Sequence, residues 1–102
     1  SMLLQHKVPL AYLECCLFVQ GEFSKFSLEK IGIPSQQAML VVQQLRKIHE
    51  SSVDYDNATS KFFLSDPMAM PKLIPAAKMP VYMQALEHIA SVELASKEAV
   101  EV

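Results

Sequence analysis

The sequence predicts a mainly α-helical domain with one small β-hairpin, and three observations carry that expectation. Apolar residues recur at three- and four-residue steps along several long stretches. One short region alternates apolar and polar residues on either side of a turn-rich cluster. Only two glycines occur in 102 residues, of which 51% are hydrophobic, the composition of a folded, helix-rich chain rather than a disordered one. That length suits one domain built on one core.

The first helix is expected over about residues 9–20. Pro9 fits a first turn, where its missing N–H costs nothing. Leu10, Leu13 and Leu17, with Tyr12, Cys16 and Val19 on an adjoining strip, make a wide apolar face. Gly21 ends the helix as a left-handed C-terminal residue does. "GEFSKF" then reads as short and extended or turn-like, with Phe23 and Phe26 as inward anchors. Ser27 is the expected N-cap of a short helix that buries Leu28 and Ile31 and is broken by Gly32.

Ile33 packs down after the glycine, and Pro34 and Ser35 start a longer helix with Ser35 as its cap, reaching about residue 49. Ala38, Val41 or Val42, Leu45 and Ile48 repeat at helical steps and form the core stripe, and Met39 is expected to be buried with them. Gln36, Gln37, Leu40, Gln43, Gln44 and Lys47 are left for the other sides. Arg46 and Lys47 suit the negative end of the helix.

"SVDYDNATSKFFLS" reads as a two-stranded hairpin, residues 53–56 paired with 61–65 across "DNATS". Pro67 stops it. The stretch "DPMAMPKLIPAAKMP" is too apolar for a free linker, so this arm should pack along the domain or onto a partner. Pro80 opens a last helix over about residues 80–96, whose stripe is Met79, Tyr82, Met83, Leu86, Ile89, Ala90 and Glu93; "SKEAVEV" looks frayed.

Helix, short helix, glycine turn, longer helix and hairpin is the order of a winged helix-turn-helix. The expected organisation is therefore a winged helix-turn-helix domain at 3–66, a Pro/Met-rich connecting arm at 67–79, and a C-terminal dimerisation helix at 80–97. In such a module the longer helix enters the major groove and the hairpin wing touches the backbone.

"FSKFSLEKIGIPSQQAMLVVQQLRK" followed by "VDYDNATSKFFLSD" resembles the N-terminal winged-helix domain of WYL-domain transcription regulators. The matching residues are Gly32, Ile33, Gln37, Ala38, Tyr55, Asp56 and Lys61, within a resemblance that covers about residues 8–70. It implies a dimeric, cytoplasmic bacterial or phage regulator that binds DNA through its winged helix. The sequence departs from the family in three places. No WYL ligand-sensing domain follows, which suggests a truncated regulator or a small stand-alone relative. Met39-Leu40-Val41 stands where the family shows small and polar residues after Gln-Ala, and Asn57 stands where the family wing commonly carries arginine.

The expected DNA-binding residues are Ser35, Gln36, Gln37, Leu40, Gln43, Gln44 and Lys47 on the helix and Asn57, Ser60 and Lys61 on the wing. Glutamine can contact adenine with two hydrogen bonds, and lysine can neutralise phosphate. Lys25, Lys30 and Arg46 are weaker phosphate candidates, interleaved with Glu22, Glu29, Glu50, Asp54 and Asp56. The expected dimerisation residues are Tyr82, Met83, Leu86, Ile89 and Ala90, since the last helix carries more apolar surface than a small core obviously covers.

A formal net charge of −2 withholds support from a dedicated non-specific nucleic-acid binder. The rival expectation is therefore a winged-helix protein–protein interaction module that has lost DNA binding and uses Met39, Leu40 and the arm. An enzyme is not expected. His6, His49 and His88 are scattered, Glu14, Glu29 and Glu87 are single acids on different helices, and no glycine loop could cradle a phosphate. Cys15 and Cys16 are adjacent and read as reduced core-side residues. No cofactor, no metal, no membrane span and no signal peptide are expected, which points to the cytoplasm.

Overall fold

The computed structural model describes residues 2–101, with side chains from 7 to 96. His6 lies outside those side chains, as does the last residue of the expected 80–97 helix. The chain is mainly helical and carries a small three-stranded antiparallel sheet. Helix α1 spans Met2–Cys15 and continues as a wider π-type turn over Cys16–Gln20. Strand β1 is Glu22–Phe23, and a short 3₁₀ helix follows at Ser27–Ile31. Helix α2 is Ser35–Ile48, strands β2 and β3 are Val53–Asp56 and Lys61–Leu64, and helix α3 is Met79–Glu101.

Several boundaries differ from expectation for clear physical reasons. Pro9 sits inside α1, not at its first turn, because the helix begins at Met2. The proline withholds one N–H from the preceding turn, but its buried ring packs into the domain. Neither serine caps a helix. Phe26 and Pro34 occupy the N-cap positions, and Ser27 and Ser35 are the first helical residues. The Ser27 hydroxyl instead accepts the Ser24 N–H at 2.9 Å, closing the turn between β1 and the 3₁₀ helix. The last helix begins at Met79 and continues to Glu101, through the segment expected to fray.

Both glycines act as helix stops. Gly21 and Gly32 have φ of 83° and 85°, the left-handed region that a side chain disfavours. The Gly32 N–H bonds the Glu29 carbonyl and the Ile33 N–H bonds the Leu28 carbonyl, so the 3₁₀ helix turns sharply into α2.

The hairpin forms where expected, with its second strand one residue shorter, and pairs Val53 with Leu64 and Asp56 with Lys61. Strand β1 adds to its other side, pairing Phe23 with Phe62, so the sheet order is β1-β3-β2. The alternation of the strands sends Val53, Tyr55 and Phe62 to one face and Asp54, Lys61 and Phe63 to the other. Phe23 stacks on Phe62 with ring centroids 5.1 Å apart, which joins the sheet to the core.

The core is built from Tyr12 and Leu13 of α1, Leu17 of the π-type turn, Leu28 of the 3₁₀ helix, Ala38, Val42 and Leu45 of α2, and Met79 and Met83 of α3. Met83 is buried in the chain's own core, and Tyr82 and Leu86 pack against that core. Ala90 is half-buried, leaving Ile89 as the one exposed residue of the expected dimerisation set. The stripe that the spacing marked as an interface is therefore mostly the inner face of α3, which packs back on α1. Phe26, expected inward, is 53% exposed, and Met39, expected buried, is 42% exposed.

One buried carboxylate ties the arm to the body. Glu14 of α1 is fully buried, and four hydrogen bonds converge on it. Its Oε1 accepts the Leu73 and Ile74 N–H groups at 2.9 and 3.1 Å, and its Oε2 accepts the Lys72 N–H at 2.9 Å and His49 Nε2–H at 2.8 Å. The Lys72 ammonium reaches the Ile48 carbonyl at the end of α2, 2.9 Å away. The arm thus packs along the domain through its backbone, while Met68 and Met70 point outward.

Candidate functional site

The outer side of α2 divides into three strips, fixed by the helical repeat of 3.6 residues. Gln36, Leu40, Gln43 and Lys47 follow at four- and three-residue steps and form the outermost ridge, all exposed. Ser35, Met39 and Arg46 lie on the flank toward the hairpin. Gln37 and Gln44 share the opposite flank, away from it. The expected binding residues of the helix are exposed or half-buried, but they do not lie on one surface: Gln37 and Gln44 face away from the side that the wing shares.

Between α2 and the hairpin lies a groove of about 500 Å³. Phe26, Met39, Tyr55 and Phe62 supply its apolar lining, and Lys25, Arg46 and Ser60 its polar part. None of these lining residues is acidic. The Lys25 ammonium sits 5.1 Å from the centre of the Phe26 ring, and the Arg46 guanidinium 5.4 Å from that of Phe62. Each cation is therefore held over an aromatic face that favours positive charge. Tyr55 packs on Phe62 at 4.7 Å and stays 42% exposed, so the lining is built by the sheet face and is open to solvent.

The wing tip is a tight turn. Asp56 accepts the Ala58 N–H through its side chain and the Ser60 N–H through its carbonyl. Ser60 adopts a left-handed φ of 58°, unusual for a residue other than glycine. Asn57 and Ser60 are exposed. Lys61 leaves for the other face of the sheet, where its ammonium pairs with Glu22 at 3.0 Å. Lys47 sits on the ridge, near the far end of α2. The cations beside the wing are thus Lys25 and Arg46, ranked below Lys47 and Lys61 by sequence. The signal that could have found Arg46 is its seven-residue spacing from Met39, which puts both on one flank.

Three further titratable groups lie in the core: Tyr12, Cys15 and Cys16. The Tyr12 hydroxyl donates to Glu87 Oε2 at 2.8 Å, linking α1 to α3, and burial followed by that bond drives its pKa well above the ordinary tyrosine value. Both cysteines are free and buried. Burial, then the neighbouring thiol, pushes Cys15 up to about 12, and burial pushes Cys16 up to about 11, so both are thiols at neutral pH. Among the described residues no His, Cys, Asp and Glu cluster could hold a metal ion, and no helix is long and apolar enough to cross a membrane.

No family model matches this chain, and no curated protein sequence matches it significantly.

Proposed function

We propose that the protein is a winged helix-turn-helix regulator that binds double-stranded DNA. The observation that carries this reading is the placement of α2. The Gly32 turn sets α2 against the 3₁₀ helix, its valines and Leu45 are buried, and its ridge of Gln36, Leu40, Gln43 and Lys47 stands uncovered beside the hairpin. The ridge would face base edges in the major groove, with the glutamines as adenine contacts and Leu40 against a thymine methyl. Lys25, Arg46 and the exposed wing tip at Asn57 and Ser60 would follow the phosphate backbone. The resemblance to the N-terminal domain of WYL-domain regulators supports the same reading.

The regulator acts as a homodimer in this proposal. Val81, Ala85, Ile89 and Val92 follow at four- and three-residue steps along α3 and are all exposed. They form a second apolar stripe beside the one turned to the core, and a two-fold pairing along it would present two α2 ridges to a palindromic site.

Fluorescence anisotropy on mixed-sequence duplex DNA tests the reading. At about 50 mM salt the wild type should bind at micromolar protein, and each phosphate that the protein neutralises should add roughly 0.9 to the steepness of log K against log salt. Arg46→Gln and Lys25→Gln should each make that slope shallower, while Gln36→Ala with Gln43→Ala should leave it unchanged. Absence of wild-type binding at about 100 µM protein in that buffer overturns the proposal. One observation favours a second reading, a module that docks another protein. Leu40 is 58% exposed at the centre of the ridge beside Met39. In that case Leu40→Asp abolishes capture of the partner, and DNA binding is absent from the start.

A further inference from the structure

We infer that the groove between α2 and the hairpin is a binding site for a small organic anion, an apolar body carrying one carboxylate or comparable negative charge. The groove holds two chemistries in one place. Its lining is aromatic and thioether surface from Phe26, Met39, Tyr55 and Phe62, with Phe26, Met39 and Tyr55 left substantially exposed. Its charges are Lys25 and Arg46, with no acid among the lining residues. The nearest carboxylates of the hairpin are directed elsewhere: Asp56 lines the far face of the sheet with Glu22 and Lys61, where Lys61 and Glu22 form their ion pair.

A phosphodiester track alone does not require this lining. A polar, hydrated surface would bind a backbone phosphate as well, and leaving aromatic and methionine side chains in water forgoes their burial. A volume of about 500 Å³ lies within the ordinary span of small-molecule sites, which are mostly apolar with a few placed polar groups. Two cations facing an acid-free apolar groove select against neutral and cationic ligands of the same shape. The guanidinium of Arg46 presents a planar fork that matches a carboxylate, and its place 5.4 Å from the centre of the Phe62 ring sets that fork beside the aromatic lining. Lys25 comes from the turn after β1, so the anion would sit between two elements of the fold.

Regulation follows, and this step rests on the DNA reading. The groove separates the α2 ridge from the wing tip, so an occupant fills the space a phosphate backbone would cross. The ligand and DNA then exclude one another, as an effector that releases the regulator from its site.

Amide chemical shifts of the full chain, titrated with 2-naphthoate, 2-naphthylmethanol and 2-naphthylmethylammonium, test the site itself without DNA. Naphthoate should move the amides of residues 25–26, 39, 46, 55 and 60 with one saturating curve, and the alcohol and the ammonium should bind roughly tenfold more weakly or not at all. Arg46→Gln and Lys25→Gln, both exposed positions that leave the core intact, should each weaken naphthoate by about fivefold to tenfold while leaving the alcohol unchanged. Equal binding of the three probes, shifts centred on α3 instead, or naphthoate affinity indifferent to both substitutions overturns the inference. A second titration reads whether naphthoate displaces bound duplex. Displacement by naphthoate and not by the alcohol upholds the regulatory step. Localised, anion-selective shifts uphold the site even where the chain binds no DNA, so failure of the DNA reading and failure of the site are read separately.

Discussion

Replacing Glu14 by alanine takes away the carboxylate on which His49 and three successive backbone N–H groups of the arm converge, at 2.8 to 3.1 Å. The side chain is fully buried. A stranded buried donor costs roughly 1–3 kcal/mol. The arm is half-exposed, so part of its backbone can turn to water, and simple addition of four such costs overstates the loss. Two to three of the four donors left stranded put the expected loss at about 3–5 kcal/mol. A domain of this size has about 5–15 kcal/mol in total, so the substitution removes at least about a fifth of its stability. At roughly 4–8 °C per kcal/mol, the melting midpoint should fall by about 12–40 °C in thermal unfolding followed by far-UV circular dichroism. Glu14→Gln separates hydrogen bonding from side-chain volume. The glutamine oxygen can keep Leu73 and Ile74, and His49 can present an unprotonated Nε2 to the new amide. Only the Lys72 N–H is left without its acceptor, so the cost should be about 1–2 kcal/mol. An alanine variant melting within about 5 °C of wild type refutes the argument that this carboxylate holds the arm.

Three further outcomes are expected of this fold. Cys15 and Cys16 should alkylate far more slowly in the native protein than in denaturant at pH 8. Their folded-state values lie above the ordinary 9.0 of an unfolded thiol, so their contribution is intact below about pH 9 and is lost as pH climbs toward 11 and 12; melting points should be level from pH 7 to 9 and fall beyond. Gly32→Ala meets no atom within 4 Å, yet φ of +85° strains any side chain, so it should cost about 1–2 kcal/mol and lower the midpoint without changing the fold. On α3, Ile89→Asp with Val81→Asp should convert a dimer to monomer by light scattering while far-UV circular dichroism keeps the helix content of the folded chain. Met83→Ala should cost about 2–5 kcal/mol in melting and leave the assembly state alone; a wild type that is already monomeric removes the dimer from the proposal.

What could be read from the chain alone was whatever a local period determines. The place of the hairpin followed from the alternation of Val53, Asp54 and Tyr55, and the buried side of α2 from Ala38, Val42 and Leu45. Strand β1 was not visible, because two residues have no period of their own; they are a strand only because Phe63 and Phe62 lie opposite. Phe26 copies the spacing of Phe23, but the turn closed by Ser24 and Ser27 rotates it outward. On α3, two apolar stripes lie side by side, and periodicity cannot say which faces home; Tyr12 and its bond to Glu87 help decide it from α1. The Glu14 cluster joins residues 35 to 60 positions apart, so no window along the chain contains it. The groove has the same origin: Lys25, Arg46 and Tyr55 come from separate elements that only the folded sheet brings together.

The stapled arm has a mechanical consequence. With residues 72–74 anchored to α1, the 23-residue α3 leaves the body from a fixed origin, and its distal half reaches outward in a protein 48 Å long and 30 Å across. Whatever meets that helix encounters a preset lever, not a tethered one. Docking therefore forfeits little joint entropy, and a torque applied at the far end is delivered to α1 through a carboxylate and a tyrosine instead of being absorbed by slack chain.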